Sequence, residues 1–147
     1  MPEKLEIKLP WPHKALSPNS RGHWAKRARA AEVYRYTCKM ISLEAIQAGN
    51  WDLTPLRELV EAGGEIHVFL GFHPPNRRPR DDDNIIAAFK SGRDGLADAL
   101  KIDDCHFRTH PFLKRDEIVR PDGEIRVVIT GKGPEARKKK TRLKRCW

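Results

Sequence analysis

A chain of 147 residues with a net charge of +9, 33% charged and 39% hydrophobic residues suits one globular domain with a single core. No apolar run approaches the roughly 18–20 residues of a membrane span. The opening MPEKLEIKLPWP lacks the apolar centre of a signal peptide, so the expectation is a cytoplasmic protein with no membrane partner.

The charge is uneven. The last seventeen residues, GKGPEARKKKTRLKRCW, hold eight Lys/Arg and one Glu. The rest of the chain is therefore close to neutral. A basic run of this kind is expected to be disordered when free and drawn to polyanions, with Lys138, Lys139 and Lys140 as candidate DNA contacts. A solubilising tail would have the same composition. The reading is one domain over residues 1–131 and a basic tail over 132–147. Cys38, Cys105 and Cys146 are far apart with no CxxC, which indicates neither a disulfide framework nor a zinc ribbon. Cys105, His106 and His110 lie close in sequence but lack a second ligand cluster.

In chain order, KLEIKLP alternates Leu5, Ile7 and Leu9 with charged residues, the pattern of a half-buried strand. PWPHKALSPNSRGHW, with three prolines, is a loop. From Trp24 to Ala48 the period turns helical, with Trp24, Ala28, Ala31, Tyr34, Cys38, Ile41 and Ala45 on one stripe. Lys26, Arg27, Arg29, Arg35 and Lys39 fall mostly off it, either as a solvated face or as DNA contacts. TPLRELVEAGG predicts a short helix with Thr54 as N-cap, Pro55 as first residue and Gly63 as stop. EIHVFLGF is a strand with Ile66, Val68, Leu70 and Phe72 on one side. FLKRDEIV and EIRVVIT flank Arg120-Pro-Asp-Gly123, which predicts a β-hairpin. The fold class is α+β, a small mixed α/β domain in the order β-α-(α)-β-α-β-β.

The informative stretch is RRPRDDDNIIAAFKSGRDGLADALKIDD, Arg77 to Asp104. A helix from Asp83 puts Ile85, Phe89, Gly92, Leu96 and Leu100 on one face. Asp83, Lys90, Asp94 and Lys101 then share the opposite face. One or two aspartates at a helix start need no purpose beyond capping and the helix dipole. Asp–Lys–Asp at these spacings also makes a solvated ion-pair face. Three consecutive aspartates, Asp81 to Asp83, preceded by Arg77, Arg78 and Arg80, exceed what capping requires. Alternating blocks of charge suit a site that holds a divalent cation and a phosphate together. Mg²⁺ takes carboxylate oxygens, and on a phosphodiester it can orient water and stabilise developing charge. A nearby lysine can assist.

DDDNIIAAFKSGRDGLADALKIDD resembles the signature of the RusA family of Holliday junction resolvases, the crossover junction endodeoxyribonucleases. That signature is Asp-x-Asp-Asn, a Lys, Asp-x-Leu and a closing Asp-Asp. Asp81, Asp83 and Asn84 match the first part, Lys90, Asp94 and Leu96 the middle, and Asp103-Asp104 the end. LPWP, Pro18-Asn19, Tyr34-Arg35 and the element order are also similar. The resemblance spans about residues 5–130. It implies an Mg²⁺-dependent endonuclease (Mn²⁺ is a possible substitute), bacterial or phage-encoded and acting at the nucleoid. Its DNA would be a four-way junction, cut by a homodimer in recombination and repair. By the same resemblance Asp81, Asp83 and Asp104 are metal-binding catalytic carboxylates and Lys90 the catalytic lysine. Asn84, Asp94 and Asp103 are supporting, and Asp82 has no assigned role. One departure is visible. In the family pattern the lysine follows Asp-Asn by about one turn, where this chain has Ala87; Lys90 lies about 4–5 Å further along the helix.

A straight helix from Asp83 to Leu100 would span about 26 Å, too far for Asp83 and Asp104 to share an ion whose ligands lie about 2.0–2.1 Å away. Either the helix breaks at Gly92 or Gly95 and folds back, or two chains pair these helices antiparallel in a two-fold dimer. The second is favoured, because a four-way junction needs two symmetric cuts. Arg77, Arg78, Arg80, Lys26, Arg27, Arg29 and the tail would then neutralise phosphates. Trp11 and Trp24 are candidates for stacking on bases or for ordinary burial. The competing readings are a basic branched-DNA-binding protein that does not cut and a nuclease of broader flap or fork range.

Overall fold

In the computed structural model, residues 4–18 and 22–133 are described. Lys138, Lys139, Lys140 and Asn19 lie outside them, as does nearly all of the expected tail. Strand β1 is Leu5–Pro10. Helix α1 is Trp24–Ala48, α2 is Thr54–Glu61, and β2 is Glu65–His73. Helices α3, Asp82–Ala88, and α4, Lys90–Leu100, lead to β3, Phe107–Leu113, and β4, Glu124–Lys132. Short 3₁₀ turns cover Lys14–Leu16 and Asp104–His106. The order is the expected β-α-α-β-α-β-β, with the last helical segment interrupted at Phe89.

The four strands form one sheet in the order β1-β4-β2-β3. β4 runs antiparallel to both β1 and β2, while β3 runs parallel to β2. The alternation read from the sequence sets the faces. Leu5, Ile7, Leu9, Ile66, Val68, Leu70, Phe72, Ile125, Val127 and Ile129 are all buried on one side. All ten join a core completed by Ile85, Phe89, Leu96 and Leu100 of α3 and α4 and by Tyr34 and Cys38 of α1. Burial holds the Tyr34 hydroxyl far above its usual range and pushes the Cys38 thiol up to about 12, because neither charged form is solvated there.

The predicted hairpin is not formed. Residues 112–119 do not pair with β4. β3 ends at Leu113, and β2 stands between it and β4. The reason lies in residues 114–123, which close over the end of β2. Val119 N–H donates to Pro74 O at 2.9 Å, and the Glu117 carbonyl meets His73 Nδ1 at 2.8 Å. Pro111 lies in β3, an edge strand, where a missing N–H is tolerated. The α2 cap also differs. Thr54 is the first helical residue, and Asp52 Oδ1 accepts its N–H at 3.0 Å. Gly63, at φ 96°, does end the helix.

The first turns of α1 depart from the expected stripe. Trp24 is 75% exposed and Ala28 is exposed; burial begins at Tyr34. From there α1 lies across α4 at close range. A Cβ on Gly95 would come within 2.3 Å of the Arg35 carbonyl oxygen, and one on Gly92 within 2.7 Å of the Tyr34 ring. These glycines are crossing points rather than breaks, since α4 passes through both without interruption. Among the described residues, no helix is long and apolar enough to cross a membrane.

Candidate metal and nucleic-acid site

The path of α3 and α4 decides where the acidic residues stand. They form the crossover between parallel strands β2 and β3, so the chain enters α3 at one end of the sheet and leaves α4 at the other. Arg115, just past the end of β3, forms an ion pair with Asp82. Asp104 lies just before β3 begins. The two acidic groups are therefore separated by about the length of β3, roughly 20 Å at 3.3 Å per residue. The fold-back route at Gly92 or Gly95 is closed, because the break falls at Phe89 and does not reverse the chain. One chain alone does not bring Asp81, Asp83 and Asp104 to a common ion. Among the described residues no group of three or more His, Cys, Asp or Glu is placed to hold one.

At the first end, Asp81 is the N-cap of α3. Its Oδ1 accepts from Asp83 N at 2.8 Å and more weakly from Asn84 N at 3.4 Å, as a capping carboxylate does. Asp83 is exposed and makes no side-chain bond or ion pair with another described residue. Asn84 is half-buried beside it. Arg77 and Arg78 are exposed on the preceding loop. Arg80 instead folds back: Nη1 donates to the Asn76 and Arg78 carbonyls at 3.0 and 3.1 Å, and Nη2 to Asn76 Oδ1 at 2.9 Å. Its guanidinium also lies 5.7 Å from the centre of the Trp11 ring, and Trp11 packs edge-on against Phe72. Arg80 thus shapes the loop, and Trp11 belongs to the packed layer.

At the second end, Asp94, Asp98, Asp103 and Asp104 line one open cleft of about 410 Å³ with Arg35 and Lys101. Sequence reasoning missed Asp98 and Arg93, and read Arg35 as a solvated or DNA-contacting cation; all three organise the cleft. Arg35 binds Asp98 through Nε and Nη2, at 2.7 and 2.9 Å, and this pairing holds the Asp98 carboxyl below the usual carboxylate range. Arg93 Nη1 donates to Asp104 Oδ2 at 3.1 Å, Nη2 to the Asp104 carbonyl at 3.2 Å, and Nε to Thr109 Oγ1 at 3.1 Å. Asp103 caps its turn through Cys105 N at 3.0 Å. Lys90 is exposed midway along the crossover, 3.7 Å from Asp94. The spacing from Asp94 to Asp98, one helical turn, was a signal that could have added Asp98. Arg35 comes from α1, so its contribution depends on how the helices cross.

Of the α1 cations, Arg35 belongs to the second end, while Lys26, Arg27 and Arg29 sit in the first two turns of the helix. Lys26 and Arg29 are exposed, and Arg27 donates to the Ser17 and Pro18 carbonyls at 2.9 and 3.2 Å. His110, considered above with Cys105 and His106, stacks on Phe69 and meets His67 at 2.9 Å on the outer sheet face.

No family model matches the chain. Over 125 residues it is 42% identical to an uncharacterized protein of Xylella fastidiosa (strain Temecula1 / ATCC 700964), and the match covers 85% of this chain and 75% of the relative.

Proposed function

This chain belongs to one family with the Xylella fastidiosa protein, and for it we propose the activity of a metal-dependent endodeoxyribonuclease that cuts branched DNA, four-way junctions above all, as a two-fold homodimer. The observation that carries the reading is the placement of solvent-facing carboxylates at both ends of one crossover. A two-fold partner with its crossover antiparallel would bring Asp81 and Asp83 of one protomer toward Asp104 of the other. Two such composite sites per dimer suit two symmetric cuts. The likeness of this stretch to the RusA signature is what singles out these residues.

The donor set is all carboxylate, which suits Mg²⁺ or Mn²⁺. When bound, that ion supplies charge neutralisation at the phosphate and a more acidic water. Asp81, Asp83 and Asp104 would hold it. Asn84, Asp94 and Asp103 would orient the segments that carry them. Lys90 would offset charge on the scissile phosphate, and Arg77 and Arg78 would bind the flanking backbone. Water attacks phosphorus, one P–O ester bond breaks, and the leaving oxygen is protonated.

A second reading has its own support. Asp81 and Asp103 cap, Asp82 pairs with Arg115, Asp94 with Lys90, Asp98 with Arg35 and Asp104 with Arg93. Carboxylates so occupied suit a protein that binds branched DNA without cutting it. A labelled four-way junction and its linear duplex, each with Mg²⁺ or EDTA, separate the two. The nuclease gives paired symmetric nicks on the junction, with Mg²⁺ only, and none from Asp83→Asn. Tight binding without nicks in Mg²⁺ or Mn²⁺ replaces it with the binder.

A further inference from the structure

The geometry points to a second site, a pocket for one phosphate group, between the 3₁₀ turn Lys14–Leu16 and the start of α1. His13, Lys14, His23, Lys26 and Arg27 line a cleft of about 300 Å³ there. No acidic residue is among the described residues that line it. Two imidazoles enter it in the same state. His13 Nδ1 accepts the Ala15 N–H at 2.9 Å, and His23 Nδ1 accepts the Ala25 N–H at 3.1 Å. A neutral imidazole that accepts at Nδ1 carries its proton on Nε2. Each ring therefore has an N–H to donate, and capping fixes which nitrogen that is. Lys14 and Lys26, both exposed, add two ammonium groups. Arg27, anchored on the Ser17 and Pro18 carbonyls, adds a fixed positive wall. Two N–H donors and three cations around one cleft suit a tetrahedral oxyanion with two or more charge-bearing oxygens.

The ligand class is a phosphate ester, either a backbone phosphate of DNA or a free one. The pocket shares no lining residue with either acidic end, so it stands or falls apart from the nuclease reading. The test titrates the labelled full chain with inorganic phosphate at constant ionic strength and follows the imidazole nitrogen resonances. Saturable shifts at His13 and His23 are expected. They should vanish in Lys14→Gln/Lys26→Gln and persist in Arg126→Gln, which alters the outer sheet face. A second arm measures how binding to linear duplex falls with salt. If a DNA phosphate is the occupant, the double variant lowers the logarithmic slope by about one. Phosphate shifts with an unchanged slope assign the pocket to a free phosphate ester. Absence of shifts in the unmutated chain overturns the site, whether or not the protein cuts DNA. That result needs no variant to fold.

Discussion

Arg93 holds Asp104 twice, by its carboxylate at 3.1 Å and by its backbone carbonyl at 3.2 Å. The guanidinium is clasped in turn by Thr109 at 3.1 Å and lies 5.6 Å from the centre of the Phe107 ring. The turn after α4 is thus fastened to the helix before it. If Asp104 serves the proposed metal, Arg93 is a positioning residue for it. Arg93→Ala should raise the Mg²⁺ concentration needed for half-maximal nicking by about 10–100-fold, the usual cost of losing an outer-shell partner. Arg93→Lys should restore part of it. An unchanged Mg²⁺ requirement with a lowered rate would assign Arg93 to folding alone.

The composite site makes a sharper demand. Asp83→Asn and Asp104→Asn chains should each be inactive. Unfolded and refolded together, they form mixed dimers in which one site keeps both native carboxylates. About a quarter of the unmutated site number should return, by random pairing of two chains in a two-fold dimer. The product should be single nicks rather than paired ones. A mixture as inactive as its components rules out sharing between chains.

The α1–α4 crossing predicts a graded pair of substitutions. Gly95→Ala drives a methyl into main chain, with Arg35 O at 2.3 Å and Lys39 N at 3.0 Å. Gly92→Ala meets side-chain rings first, those of Phe89 and Tyr34. Overpacking of this kind costs about 1–3 kcal/mol. Gly95→Ala should sit at the upper end, because a backbone yields less than a ring. Urea midpoints would order the two variants, and a milder Gly95→Ala would mean that the helices separate easily.

The Arg35–Asp98 pair should show in the acid limb of stability. The Asp98 carboxyl is held below its ordinary value of 3.8 chiefly by its hydrogen bond to Arg35. A carboxyl depressed by folding stabilises the native state above its unfolded value and loses that contribution as pH falls through the folded one. Unmutated protein should therefore exceed Arg35→Ala at pH 7, and the gap should close below about pH 3.9. Both side chains are partly exposed, at 51% and 32%, so the gap at pH 7 should stay within about 1 kcal/mol. Urea midpoints at neutral and acidic pH measure it. A gap that widens toward acid would contradict this origin.

Much of this was legible from periodicity. The face Ile85, Phe89, Gly92, Leu96, Leu100 is buried, and Asp83, Lys90 and Lys101 are exposed opposite it, because a helix on a sheet repeats its burial about every 3.6 residues. The bounds of α1 were also readable. What failed depended on partners distant in sequence. A turn signal at Pro121–Gly123 marks a reversal but not which strand receives the chain. Trp24 reads as core by spacing, yet the first turns of α1 are mostly exposed. Arg93 and Asp98 carry no motif, and the Tyr34-Arg35 likeness does not name Arg35's partner, since these roles arise only where α1 meets α4 and where the Asp104 turn meets Thr109.

The strand order has a consequence for how the chain acquires its shape. Leu5 pairs with Ile129, Glu65 with Lys132, and Ile66 with Phe107, so among the described strands no ladder joins near neighbours. Each closes a loop of roughly forty residues or more before it returns any hydrogen bonds. During synthesis β1 and the inner edge of β2 must wait for β4, the last described strand to emerge. Until then the backbone edges that β4 pairs with are left open on both. The protein is therefore expected to fold late and as a unit, and a chain stopped before Glu124 should be a substrate for chaperones rather than a smaller working domain.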